Sequence, residues 1–264
     1  MRVTGIFVRF TRINDYVHIL FLIFPLIFLI SPTNLFTYKT MIIFFANLFL
    51  TAFGYMFNDV EDAEDDYHDI EKRKRNLISA GEITRRQSYF FSFLLLSVGV
   101  LSLLMVNSSV FILGIIFALV GFLYSWKPLR LKSKPYLDLI SHMIFLGVLQ
   151  FLITYLAFRP LDLFVIPFLM IVIPFSMMNE IIHELKDYDI DESTNINNTV
   201  QKFEMSDIKK GLIILFSIAI IGFSIIIFTM PPENWLINVS ISSLLGVVAL
   251  FRLNKRASII TQVK

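Results

Sequence analysis

Three aspartates, Asp59, Asp62 and Asp66, follow Asn58 at spacings of three and four residues, the repeat that places side chains on one face of an α-helix. A second acidic series, Glu180, Glu184, Asp187 and Asp191, is spaced four, three and four within the segment NEIIHELKDYDID. Like charges at such spacing repel, so a helix that carries them needs a counter-ion. Carboxylate oxygens suit a hard divalent cation of the Mg²⁺ type, which keeps coordination places for water and substrate phosphates. Neither series has the central glycine and alternating ligands of a calcium-binding EF-hand loop. A lone acid in a charge run, such as Glu61, Glu64 or Asp69, is ordinarily solvated. Two series with helical spacing ask for a common explanation.

The elements that must position these acids are apolar. Of the 264 residues 56% are hydrophobic, 28 are Phe, and the mean hydropathy is +0.72, above the apolar share of roughly 45–50% usual in soluble domains. Runs long enough to cross a hydrocarbon core lie near Tyr16 to Ile30, Met41 to Phe57, Ser88 to Val106, Val110 to Trp126, Leu137 to Ala157, Leu163 to Met178, Gly211 to Phe228 and Trp235 to Phe251. The expectation is an all-α, polytopic transmembrane helical bundle of about eight helices, or nine. With no low-complexity linker, residues 1–264 read as one domain.

Charge supplies an independent test, because cytoplasmic loops carry the excess of Lys and Arg. Alternating the runs from a cytoplasmic N-terminus leaves only Lys39 and Arg159 of the 23 basic residues outside. Both termini, both acidic series and the long connections Asn58 to Gln87, Lys127 to Tyr136 and Asn179 to Lys210 then face the cytoplasm. No small-residue cleavage site follows the first apolar run, so that run is expected to stay as a helix. The absence of Cys excludes disulfides and thiolate metal sites. A net charge of +2 reflects basic inner loops facing anionic membrane lipid and implies no nucleic acid partner.

The residues resemble the UbiA superfamily of intramembrane prenyltransferases. Asn58, Asp59, Asp62 and Asp66 match its N-D-x-x-D-x-x-x-D motif; KRNLISAGEIT (Lys74 to Thr84) and YSWKPLRLKSKP (Tyr124 to Pro135) are similar to later segments; NEIIHELKDYDID is similar to its second acidic motif. Glutamates stand at Glu180 and Glu184 where aspartate is common. The resemblance implies a bundle with a central cavity opening to the cytoplasmic side, a prenyl diphosphate at its mouth, a lipophilic acceptor within it, and Mg²⁺ held by both motifs. It assigns Asp59, Asp62 and Asp66 to one metal set, with Asn58 orienting it, and Glu180, Glu184, Asp187 and Asp191 to the other. Asp59, Asp62, Asp66, Glu184 and Asp187 are the expected catalytic acids. Arg75, Lys127, Arg130 and Lys132 are candidate diphosphate clamps, and Tyr124 is placed to face an allylic cation. His142 and His183 are possible bases, of which His183, beside Glu184, comes first.

The acceptor stays open at this level: the KPLRLKSKPYLDLIS segment resembles carotenoid-elongating members and the second motif resembles archaeal lipid enzymes. A terpene cyclase of the same fold is an alternative. An ion-coupled transporter is another, and it predicts acids at mid-depth or on both sides of the membrane.

Overall fold

The computed structural model describes residues 3–193 and 198–229, with the backbone alone for residues 3, 4 and 189–193. The described residues are helical, with no β-strand among them. In order the helices are α1 (Val3–Thr11), α2 (Ile13–Leu20), α3 (Ile23–Ile30), α4 (Tyr38–Asp66), α5 (Ile70–Arg75), α6 (Arg85–Ser102), α7 (Ser108–Ser125), α8 (Leu137–His142), α9 (Gln150–Phe158), α10 (Val165–Ser193) and α11 (Met205–Thr229). Among the described residues seven stretches are long and apolar enough to cross a membrane: Ile13–Ile30, Tyr38–Asp66, Arg85–Met105, Ser108–Ser125, Leu137–Phe158, Val165–Tyr188 and Met205–Thr229. The expected eighth run, Trp235 to Phe251, lies outside the described residues.

Two helices differ from the expectation in a way that matters. α4 and α10 each have 29 residues, a length of roughly 44 Å at 1.5 Å per residue, whereas the hydrocarbon core is roughly 30 Å thick. Each therefore continues through its acidic series. The stretches 58–66 and 179–193, which hydropathy assigns to inner loops and the spacing of their acids to a helical face, are the last turns of helices. Hydropathy marks where lipid ends, and no Gly or Pro follows to stop the helix there. The first span, conversely, is broken at Phe21 and Leu22. Pro25 cannot donate to the carbonyl of Phe21, and its ring crowds that carbonyl.

The chain divides into two compact units, residues 1–131 with 149–160, and residues 132–148 with 161–264. In the first, α4 is central and the most enclosed of the described spans. Ile43, Leu50, Phe53, Met56 and Phe57 are buried along it. The Phe57 ring packs against Phe53, Phe122 and Phe93, with centroids 5.5, 5.1 and 5.9 Å away. Polar ties join α4 to α9: Gln150 Nε2 donates to Thr51 Oγ1 at 2.8 Å, and Asn47 Nδ2 reaches Thr154 Oγ1 at 3.4 Å. Neutral hydrogen bonds of this kind hold helices together in lipid.

In the second unit, Leu139, Ile181, Leu185, Val200 and Ile208 form a buried cluster joining α8, α10, the 198–202 segment and α11. Gly222 allows α11 to approach α10: a Cβ there would stand 2.6 Å from the carbonyl oxygen of Pro167. Pro174 sits inside α10, where its missing N–H removes one helical bond two turns before Glu180.

Candidate functional site

The acidic end of α4 is built by side chains from five neighbouring segments. Asn76, fully buried after α5, donates from Nδ2 to the Asp59 carbonyl at 2.7 Å and to Asp66 Oδ2 at 2.9 Å. Its own Oδ1 accepts from the backbone of Ile78 at 3.0 Å, fixing the turn that leads to Gly81. Gly81 has φ +73, the left-handed region that glycine enters without a Cβ penalty. Asp69 caps α5 by accepting from the Lys72 N–H at 2.7 Å, and this bond to the charged carboxylate lowers its pKa.

Each aspartate of the first series meets a protein donor. Arg12 Nη1 lies 3.1 Å from Asp59 Oδ1, and Arg12 Nε lies 2.8 Å from Asp15. The Arg12 guanidinium also sits 4.8 Å above the Tyr55 ring. Arg12 adopts φ 52 between α1 and α2, a left-handed conformation uncommon for arginine. Asp62 accepts from Asn58 Nδ2 at 2.9 Å and from Arg130 Nη2 at 2.9 Å, while Arg130 also meets Asp65 at 2.7 Å. Burial opposes the charge of Arg130, but Asp62 and Asp65 outweigh it and raise its pKa. Asn58 Oδ1 accepts from Ser125 Oγ at 2.9 Å.

The neighbouring acids hold the frame. Glu61, expected to be solvated, is buried. It accepts from Tyr89 Oη at 2.6 Å and from the Lys127 N–H at 2.9 Å, tying α4 to α6 and to the turn after α7. Glu64 is exposed and pairs with Lys127 Nζ at 2.6 Å and Arg85 at 3.2 Å. Among the expected clamps, Arg130 and Lys127 are thus brought to the acidic end of α4. Arg75 closes α5 and adds positive charge near Asp59. Tyr124 is partly buried one residue before Ser125, and Lys132 is partly buried in the short turn 131–133.

In the second unit Glu180 and Glu184 are buried and Asp187 is partly buried on α10. His142 Nε2 lies 3.3 Å from Glu180 Oε2, and His142 Nδ1 lies 3.3 Å from Ser176 Oγ. Glu184 Oε2 accepts from the Val200 N–H at 3.0 Å; its Oε1 is buried and met by no N–H or alcohol donor. The Asp138 carboxyl meets the Glu184 side chain directly, and Glu180 is a second acidic neighbour. His183 is exposed, as expected for a residue turned about 100° round the helix from the buried Glu184. The side chain of Asp191 lies outside the described residues.

The all-oxygen donor set suits magnesium, and an orphaned buried carboxylate oxygen on Glu184 is an acceptor that a cation would satisfy. Among the described residues no three His, Asp or Glu side chains converge on a single point; on α4 the acids are engaged instead by Arg12, Arg130 and Asn76. Sequence reasoning missed Arg12, Asn76, Ser125, Asp138 and Thr199. Ser125 lay within the quoted Tyr-Ser segment, and Asn76 directly follows the basic run; Arg12 carried no local signal, because its partner is 47 residues away.

A family model described as the UbiA prenyltransferase family matches residues 19–261. Among solved structures, a UbiA homologue from Archaeoglobus fulgidus bound to DMAPP and Mg²⁺ superposes with a TM-score of 0.73 at 20% identity, covering 94% of this chain and 86% of that one. Another structure of a UbiA homologue from Archaeoglobus fulgidus gives a TM-score of 0.70 at 17% identity, covering 97% and 99%. A structure from work on digeranylgeranylglyceryl phosphate synthase in membranes gives 0.65 at 20% identity, covering 100% and 94%. Among curated protein sequences none matches.

Proposed function

The chain belongs to the UbiA prenyltransferase family, and from that premise we propose that it moves a prenyl group from a prenyl diphosphate to a lipophilic acceptor within the membrane, with magnesium as cofactor. It is a multi-pass integral membrane protein. The observation that carries the reading is the end of α4, where Asp59, Asp62 and Asp66 extend past membrane length, each already matched to a cationic or amide donor. Such matching supports the reading of this surface as one that holds positively charged groups.

In this reading Asp59, Asp62 and Asp66 form one metal-binding set, and Glu180, Glu184 and Asp187 form another. Magnesium held by these acids would offset the charge of the diphosphate and stabilise it as a leaving group. Asn58, fixed between Ser125 and Asp62, keeps the first set in register. Arg130 and Lys127, with Lys132 and Arg75, bring positive charge to the departing oxygens. The allylic carbon–oxygen bond breaks and its electron pair leaves with the diphosphate. The acceptor then bonds to the allylic carbon and loses a proton, and Tyr124 faces the cation in between. In this reading the prenyl tail lies among apolar side chains, which exclude the water that would otherwise capture the cation. DMAPP, held by the Archaeoglobus fulgidus relative, sets the chemical class of donor. The bias of Lys and Arg toward one set of loops supports a cytoplasmic placing of the acidic ends.

The test is incubation of purified protein with geranylgeranyl or farnesyl diphosphate and Mg²⁺, with quinone precursors, glycerophosphate lipids or carotenoids as acceptors. Diphosphate release that depends on protein and is raised by one acceptor class supports the reading. No release with any donor and acceptor pair would count against it.

A further inference from the structure

The turn at Thr199 and Val200 is clasped by two buried carboxylates. Asp138, wholly buried at the start of α8, accepts from the Thr199 N–H at 2.6 Å through Oδ2. Its Oδ1 accepts from the Thr199 hydroxyl and, at 2.6 Å, from the Leu139 N–H. The Tyr136 N–H closes the ring by donating to Thr199 Oγ1 at 2.6 Å, and Tyr136 holds φ 69 to do so. The very next N–H, that of Val200, goes to Glu184 Oε2. Two successive amides of one turn are thus shared between Asp138 and Glu184, and the Val200 side chain is locked into the buried cluster with Leu139 and Leu185.

We infer that Asp138 and Thr199 are positioning residues for Glu184: through the Thr199–Val200 turn, and for Asp138 also through direct contact with the Glu184 carboxyl, they hold one carboxylate oxygen of Glu184 and leave the other, buried and met by no N–H or alcohol donor, to bind the metal. This rests on the assignment of Glu184 to the magnesium set. A carboxylate left to rotate would lose time in the binding orientation, and partners that orient metal ligands are typically worth about 10- to 100-fold in metal affinity. A turn that merely joins α10 to α11 would affect stability and leave metal affinity alone. The Asp138 side chain does not need to touch the metal for this role.

The experiment titrates Mn²⁺ alone into the purified full-length protein, with free ion read by electron paramagnetic resonance and thermal unfolding followed in parallel. Asp138→Asn places an amide donor against a backbone donor, and Thr199→Val removes only the hydroxyl. Both are expected to weaken Mn²⁺ binding about 10-fold or more, while Thr199→Ser, which keeps the hydroxyl, binds as the wild type does. Should Asp138→Asn not fold, Thr199→Val and Thr199→Ser decide the matter. Lower thermal stability with unchanged Mn²⁺ affinity in Asp138→Asn and Thr199→Val overturns the inference. Asp187→Asn separates the two levels: if it weakens binding while the clasp variants do not, only the clasp role falls. If the wild type binds no Mn²⁺, the metal assignment and the clasp role fall together.

Discussion

Replacing Arg12 by Met should remove the counter-charge of Asp59 while keeping much of the apolar bulk of the side chain. Both partners are largely withdrawn from solvent, with side-chain exposures of 12% and 7%. Breaking a buried ion pair by deleting one partner costs about 3–5 kcal/mol. Asp59 also lies near Arg75, so the lower end, about 3 kcal/mol, is expected here. If Asp59 binds magnesium, the ion can replace the missing guanidinium, and saturation at one hundred times its dissociation constant adds about 2.7 kcal/mol. In the wild type the ion must first displace Arg12, so its stabilising effect is smaller. The assay is thermal unfolding in detergent of wild type, Arg12→Met, Asp59→Asn and the double variant, each in chelator and in excess Mg²⁺. Chelated Arg12→Met should be the least stable, the double variant should recover much of the loss, and Mg²⁺ should help Arg12→Met most. The reasoning is refuted if the double variant is as unstable as Arg12→Met, or if Mg²⁺ shifts wild type and Arg12→Met equally.

Asp62→Ala and Asp187→Ala should each abolish prenyl transfer while the protein remains folded in detergent; wild-type rates in both would remove the acids from the chemistry. Activity should vanish in chelator and return with Mg²⁺ or Mn²⁺ but poorly with Ca²⁺, whose larger and looser coordination shell fits a site shared with diphosphate less well; undiminished turnover in excess chelator contradicts this. Glu61→Gln should lower stability by about 1–3 kcal/mol, because a buried carboxylate that accepts from Tyr89 and Lys127 would become an amide with a misplaced donor; an unchanged unfolding temperature argues against its role as a strap. Because the chain has no cysteine, single cysteines at Glu64, Asp189 and Asn234 report orientation: in intact cells an impermeant thiol reagent should label only the Asn234 variant, and labelling of the Glu64 and Asp189 variants on opposite faces would break the reading that both acidic series face the cytoplasm.

The membrane class was legible because Phe, Ile and Leu dominate the chain, and the seven spans among the described residues fall where hydropathy places them. Helix ends were less legible. Asp59 and Glu180 stop a hydropathy run without stopping a helix, so α4 and α10 are longer than their apolar cores. Pro25 was the readable cause of the break in the first span, yet proline within a membrane helix is common enough that the apolar run alone suggested one helix. At the site, Asp59, Asp62 and Asp66 could be read from spacing because their relation is local. Arg12, Asn76 and Thr199 could not, because each acts through a partner distant in sequence, and a single arginine, asparagine or threonine carries no pattern of its own. Glu61 shows the converse error: its sequence surroundings are those of a solvated charge run, and only the approach of Tyr89 and Lys127 makes it a buried strap.

The central claim is that a carbon–oxygen bond to diphosphate is exchanged for a bond to a lipophilic acceptor. The most direct measurement reconstitutes the purified protein in liposomes with an isotopically labelled prenyl diphosphate, Mg²⁺ and a pool of membrane lipids and quinone precursors, and analyses the organic phase by mass spectrometry. The account predicts a labelled product whose mass is that of an acceptor with one hydrogen replaced by the intact prenyl group, formed by the wild type and absent with Asp62→Ala. Label recovered only as free prenyl alcohol or as an acceptor-free cyclic hydrocarbon, or the same product from Asp62→Ala, would contradict it.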